Sequence, residues 1–179
     1  RKESSAASDV YKRQDQHYDP KYKIIINGHS LGGSLGLIFG ARLKIEEGFK
    51  NIEVTTFGQP RVGNETFIDS VEKHFGDDYR RVVNDLDIVP KLPPVTKFKY
   101  SHSDKLFLIE ESGKVYKADS SAMYIHQMKE LMLEVADAIS KGEEDAFQRK
   151  LKENLKESAS DHAIDNYIKY LQLSLRNLK

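Results

Sequence analysis

The sequence predicts an α/β fold, a largely parallel sheet with helices on both faces, and three features carry that expectation. Three consecutive isoleucines, Ile24, Ile25 and Ile26, read as a buried strand, followed by a glycine-rich turn and a small-residue apolar run over 31–43 that reads as a helix packed tightly on a sheet. The β-branched run Ile52–Phe57 ends in Gly58-Gln59-Pro60, a turn signal, before a second helical pattern. A further strand is expected over 79–83. Strands alternating with helices favour parallel pairing, with the crossovers covering both faces of the sheet.

The remaining elements follow in order. Asn64 is placed to cap a helix running through His74, with Phe67, Ile68, Val71 and Phe75 on its apolar side. Short strands are expected over 97–102, 105–109 and 114–117, the last two joined as a hairpin across Glu111-Ser112-Gly113. From Ser121 the pattern is helical, with Tyr124, Met128, Leu131, Met132, Val135 and Ile139 forming a stripe. The charged stretch 141–157 has only Phe147, Leu151 and Leu155 as apolar anchors and reads as a solvated helix. A last helix opens near His162, with the expected stripe Ile164, Ile168, Leu171, Leu175 and Leu178 docking it on the body. No internal repeat is visible.

Composition bounds the partners. At 179 residues the chain suits one domain. Lysine plus arginine equal aspartate plus glutamate at 28 each, so there is no electrostatic footprint for nucleic acid. Cysteine is absent, which excludes a disulfide framework and a thiolate metal site. No apolar run is long enough to span a bilayer.

The chemistry starts at Gly28-His29-Ser30-Leu31-Gly32, which fits G-x-S-x-G between a strand and a helix. A serine on such a strained turn is lifted out of the fold at the positive end of a helix. Small neighbours, Gly28 and Gly32, are expected to let strand and helix approach. A serine hydroxyl needs a base to take its proton, and that base needs a carboxylate behind it, in the chain order serine, acid, histidine. Asp85 and Asp87 both follow the 79–83 strand on the rim shared with Ser30, and the residues alone leave the choice between them open.

Six histidines compete for the base. His17 precedes the serine strand. His29 neighbours Ser30 and points the wrong way to take its proton. His74 ends a helix, where it caps carbonyls. His102 comes too early for a returning loop, and His126 falls on the polar side of an expected helix. His162, after Ser160-Asp161 and fixed by the docked terminal helix, is the expected base.

Four blocks, IINGHSLGGSL, VTTFGQPRVGN, RVVNDLDIVPKLPP and SDHAIDNYIKYL, resemble the fungal-type (class 3) lipases in that order, over residues 15–179. The resemblance implies a truncated α/β-hydrolase fold and hydrolysis of carboxylic esters of acylglycerols at an oil–water or membrane surface; no cofactor or metal is expected, and no protein partner is implied. It selects Asp87, three residues before Pro90, as the acid, and supports Ser30 as nucleophile and His162 as base. It makes the Leu31 backbone N–H one oxyanion donor, and Leu92, Pro93, Pro94 and Val95 the wall of an acyl pocket. Phospholipase A1, galactolipase and feruloyl-esterase types belong to the same family, and a non-catalytic lipid- or partner-binding relative is the alternative class. All three triad residue types standing in order favour the enzyme. Ser34 departs from the small alanine usual after GHSLGG.

Two further expectations concern the chain's ends. The stretch SSAASDVYKRQ resembles the conceptual translation of a transposase adapter, so residues 1–14 are set aside as a non-native tail, neither signal peptide nor membrane span. Residues 15–179 then correspond to the C-terminal part of the domain. The loop that normally supplies the second oxyanion donor would lie upstream, and its loss costs about 10²–10³ in turnover. The Ile24–Ile26 strand would present an edge and an apolar face. Secretion is consistent with the resemblance, and the compartment is otherwise open.

Overall fold

The computed structural model describes residues 21–84, 87–93, 99–118, 156 and 159–177. The expectations for His17, Asp85, Pro94, Val95, His126, the 121–139 stripe and nearly all of the 141–157 stretch lie outside these residues.

A five-stranded sheet organises the chain. Its strands are β1 (Ile24–His29), β2 (Ile52–Phe57), β4 (Tyr79–Asn84), β6 (Leu106–Ile109) and β7 (Val115–Ala118), lying side by side in that order. The first four are parallel and β7 is antiparallel to β6, as a hairpin across 111–113 requires. Two-residue strands β3 (Gly63–Asn64) and β5 (Tyr100–Ser101) form a separate antiparallel pair.

Helices lie on both faces. Helix α1 (Leu31–Ala41) and helix α2 (Glu65–Phe75) cover one face, where Leu37, Ala41, Val71 and Phe75 pack on Ile52, Val54 and Tyr79. Asn64 caps α2 by accepting from the Phe67 amide at 3.1 Å, and the helix buries Ile68, Val71 and Phe75 as its periodicity requires. On the other face Tyr167 and Tyr170 of helix α3 (Ile164–Asn177) pack on Val82 and Ile109, with Phe57 and Phe107 alongside. Among the described residues no helix is long and apolar enough to cross a membrane.

Several readings of the sequence are corrected. Helix α1 ends at Ala41, and residues 42–46 widen into a π turn rather than continuing to 43 as regular α-helix. The isoleucine strand is not buried on both faces: β1 is an edge of the described sheet and Ile25 is 61% exposed. Leu31, Leu35 and Ile38 on α1 are exposed too, so a helix apolar on every side has only one side covered among the described residues. The stripe assigned to α3 is rotated in part: Leu171 packs on the cluster as expected, and Leu178 lies outside the described residues. Ile164, Ile168 and Leu175 face solvent, while Tyr167 and Tyr170 are buried, because the tyrosine rings meet the sheet and their hydroxyls find polar partners there. Strand β5 keeps only two residues of the expected 97–102, part of which is not described.

The serine turn is tight for a reason different from the one the sequence suggested. A methyl group on Gly28 would lie 2.3 Å from the Gly32 carbonyl oxygen and 2.7 Å from the Gly33 Cα. One on Gly32 would meet nothing within 4 Å. Gly28 and Gly33 are therefore the close-approach pair, and Gly32 points outward. Gly28→Ala is expected to destabilise the protein by several kcal/mol, since rigid backbone must move. Gly32→Ala should stay within about 1 kcal/mol of the parent or gain slightly from a helical alanine. Urea unfolding of both variants checks this, and equal losses would contradict it. Ser34 is buried on α1, and its hydroxyl finds no hydrogen-bond partner among the described residues.

Candidate active site

Three adjacent parallel strands end at one lip. The β1–β2 ladder extends one step beyond β1, with the Ser30 amide donating to the Phe57 carbonyl at 2.9 Å. The β2–β4 ladder extends likewise, with the Gly58 amide donating to the Val82 carbonyl at 3.0 Å. After β4 the chain turns back, and the Asp87 amide donates to the Asn84 carbonyl at 3.0 Å. Ser30, Gly58 and Asp87 thus stand at the carboxyl ends of neighbouring strands, the usual place for sites in open α/β sheets.

Ser30 has φ +57° and ψ −129°, in the half of backbone space that glycine normally occupies. Such a conformation costs about 1–3 kcal/mol and persists only where surrounding contacts impose it. Here the Phe57 bond before it and α1 after it do so. The first helical amides, beginning with Leu31, have no carbonyl one turn earlier to bond, so they make the local potential positive.

His162 arrives from the far end of the chain. Its Nε2 accepts from Ser30 Oγ at 2.7 Å, and its Nδ1 donates to Asp87 Oδ2 at 2.9 Å and Oδ1 at 3.1 Å. The tautomer follows from the neighbours, because a carboxylate only accepts, so Nδ1 holds the hydrogen and Nε2 is free to accept. The structure brings Ser30, Asp87 and His162 together in one continuous line. His162 lies in the turn just before α3 rather than in its first turn, and two successive carbonyls of that turn are held. Asn84 Nδ2 donates to the Asp161 carbonyl at 3.1 Å, and His29 Nε2 donates to the His162 carbonyl at 2.7 Å.

Asp87 is fully buried and meets donors on both oxygens. Oδ1 accepts from the Val89 amide at 2.9 Å, and Oδ2 accepts from the Tyr167 hydroxyl at 2.7 Å. Tyr167 in turn accepts from the Asn84 amide at 3.0 Å. Burial, reinforced by the Asp87 charge, pushes the Tyr167 phenol well above its ordinary range, so it stays a donor.

The other histidines take structural places. His74 Nδ1 donates to the Ser70 carbonyl at 2.7 Å within α2. His102 Nε2 donates to the Pro90 carbonyl at 2.6 Å, and burial with nearby Arg81 holds its imidazole well below the usual range. Arg61 continues that support, its guanidinium donating to the Lys91 and Pro93 carbonyls and its amide to the Leu92 carbonyl at 2.7 Å. Four successive carbonyls after Asp87 are thereby held by one arginine and one histidine.

Three contributors were missed in the sequence. Tyr167, five residues after His162, was read only as part of a terminal pattern. His29 reads from the sequence only as a misplaced base, and its support of His162 is visible only in the structure. Gly58 was read as a tight turn, yet with φ +57° a methyl group there would lie 2.7 Å from Asp87 Oδ2, 3.0 Å from the Tyr167 hydroxyl and 3.1 Å from His162 Cε1. Its signal was a glycine directly at a strand end. Gly58→Ala is expected to cost about 1–3 kcal/mol of stability from backbone strain. It should also lower turnover by about 10²-fold by displacing acid and imidazole, a displacement of 1 Å being enough. Thermal unfolding and steady-state kinetics read the two effects separately, and an alanine variant with parental turnover would refute the packing argument.

Comparison with known proteins places the chain in a family. The family model described as lipase (class 3) matches residues 5–97, more than half of the chain. A secreted mono- and diacylglycerol lipase 2 of Gibberella zeae is 38% identical over 102 residues, covering 51% of this chain and 25% of that protein. A lipase of Rhizomucor miehei is 42% identical over 97 residues, covering 52% and 26%. The chain therefore spans about a quarter of the length of these relatives. Among solved structures, a Rhizomucor miehei lipase–propeptide complex superimposes with a TM-score of 0.52 at 35% identity, covering 65% of this chain and 39% of that one. A triacylglycerol lipase whose catalytic centre is described as a serine protease triad gives 0.51 at 36% identity, covering 60% and 41%. The chain belongs to the class 3 lipase family, and its sheet and flanking helices are those of an α/β-hydrolase.

Proposed function

We propose that the protein is a serine carboxylic-ester hydrolase acting on acylglycerol lipids at an oil–water or membrane surface. The observation that carries this reading is the unbroken hydrogen-bonded line from Ser30 through His162 to Asp87. Relatives named as mono- and diacylglycerol lipases and a triacylglycerol lipase support the substrate class.

Ser30 Oγ attacks the ester carbonyl while His162 Nε2 takes its proton, and charge develops on the carbonyl oxygen. The Leu31 amide, next after the nucleophile, donates to that oxyanion. Collapse breaks the ester C–O bond, and the imidazolium returns its proton to the departing alcohol, leaving an acyl-serine. Water then enters, His162 takes a proton from it, and a second collapse releases the fatty acid and restores the Ser30 hydroxyl. Asp87 keeps the imidazole in the accepting tautomer and offsets its positive charge in both halves. Tyr167 and Val89, donating to Asp87, keep the carboxylate aimed at Nδ1.

The test is covalent. A fluorophosphonate should label the protein once, on the peptide containing Ser30, and abolish hydrolysis of p-nitrophenyl esters in step with labelling. Hydrolysis that survives full labelling, or a label on another residue, would overturn the reading.

A further inference from the structure

We propose that His29 is a positioning residue that ties the backbone of His162 to the nucleophile's own strand. The assignment rests on the reading of Ser30 as nucleophile and His162 as base.

The side-chain bonds to Asp87 and Ser30 orient the His162 ring but do not fix where its backbone sits. That backbone lies in an irregular turn before α3, 132 residues from Ser30. His29 supplies the reference. Its Nε2–H donates to the His162 carbonyl at 2.7 Å, and its ring stacks on the His162 ring with centroids 4.7 Å apart and planes 28° apart. Its edge also meets Tyr167, at 5.8 Å and 69°. One imidazole thus touches the backbone and the ring of the base, and the side chain that supports the acid.

Covalent geometry makes this effective. Adjacent Cα atoms are about 3.8 Å apart across a trans peptide, so whatever His29 holds is held in register with Ser30. A carbonyl only accepts, so this contact places a hydrogen on His29 Nε2. His29 Nε2 is engaged with a carbonyl, so the residue supports the base without acting as one.

Three substitutions separate the possibilities. His29→Phe keeps a stacking ring and loses the donor. His29→Gln loses the ring and places an amide donor near the same position. His29→Ala loses both. For each, kcat and KM are measured on p-nitrophenyl butyrate, with the rate of Ser30 phosphonylation per active site and the thermal midpoint. His29→Phe and His29→Ala are expected to lower kcat and phosphonylation together by about tenfold, with KM changed less than about twofold, because alignment rather than binding is lost. His29→Gln should recover to within about threefold of the parent, since the backbone bond is restored. Parental rates in His29→Phe, or losses that follow thermal stability alone without rescue by glutamine, would overturn the positioning role. Should His29→Phe fail to fold, the alanine–glutamine pair decides in the same way. Parental hydrolysis by Ser30→Ala would remove the nucleophile reading itself, whereas Ser30-dependent activity unchanged in the His29 variants removes only the support role.

Discussion

Ser30→Ala is expected to lower turnover of p-nitrophenyl esters by roughly five to six orders of magnitude, the scale found when a triad serine is removed elsewhere. Alanine keeps the Cβ and the strained backbone at φ +57°, so the elbow should fold as in the parent. What disappears is the oxygen proposed to accept the acyl group. The nearby hydroxyl of Ser34 cannot substitute, because it is buried on the sheet side of α1, one helical turn inside the fold. Residual rate should come only from binding and from the Leu31 amide. A variant retaining more than about one per cent of parental kcat, with matched circular dichroism and no contaminating esterase, would sink the assignment.

Asp87→Asn is expected to lower kcat by about 10⁴-fold, the size of the corresponding change in serine proteases. The geometry says why an isosteric amide fails. Every neighbour of the carboxylate donates: the Val89 amide, the Tyr167 hydroxyl and His162 Nδ1. An amide NH₂ placed at Oδ1 confronts the Val89 N–H. Placed at Oδ2 it faces the Tyr167 hydroxyl and His162 Nδ1, and can donate to Nδ1 only if the imidazole moves its hydrogen to Nε2. That tautomer cannot take the Ser30 proton. Steady-state kinetics on the variant check the magnitude, and slow Ser30 phosphonylation should accompany it. A loss smaller than tenfold would mean that Asp87 serves its own turn rather than the imidazole.

Much of this arrangement was legible because it is local. The strand–turn–helix around Ser30, the Asn64 cap and the β6–β7 hairpin each follow from a few consecutive residues whose preferences agree. The choice of Asp87 over Asp85 was not local and came from resemblance, since both follow the same strand. The support around Ser30, Asp87 and His162 was least legible. Gly58, His29 and Tyr167 matter through contacts across tens of residues, and only Gly58, a glycine directly at a strand end, carries a local signal. The face of α3 was misread for a related reason. Counting isoleucine and leucine as the buried stripe ignores that a tyrosine can bury its ring and satisfy its hydroxyl at once, as Tyr167 does between Asn84 and Asp87.

The terminal helix has a consequence for heat sensitivity. The turn leading into α3 carries His162 and α3 itself supplies one donor to Asp87, while Tyr167, Tyr170, Leu171 and Leu173 pack the helix against the sheet. If that single segment lifts away, the hydroxyl at the elbow loses its proton acceptor and the interior carboxylate loses two partners in the same event. The proposed esterase activity is therefore expected to vanish on warming while the parallel strands and the two helices on the opposite side remain assembled. Such inactivation would reverse on cooling as the segment settles back.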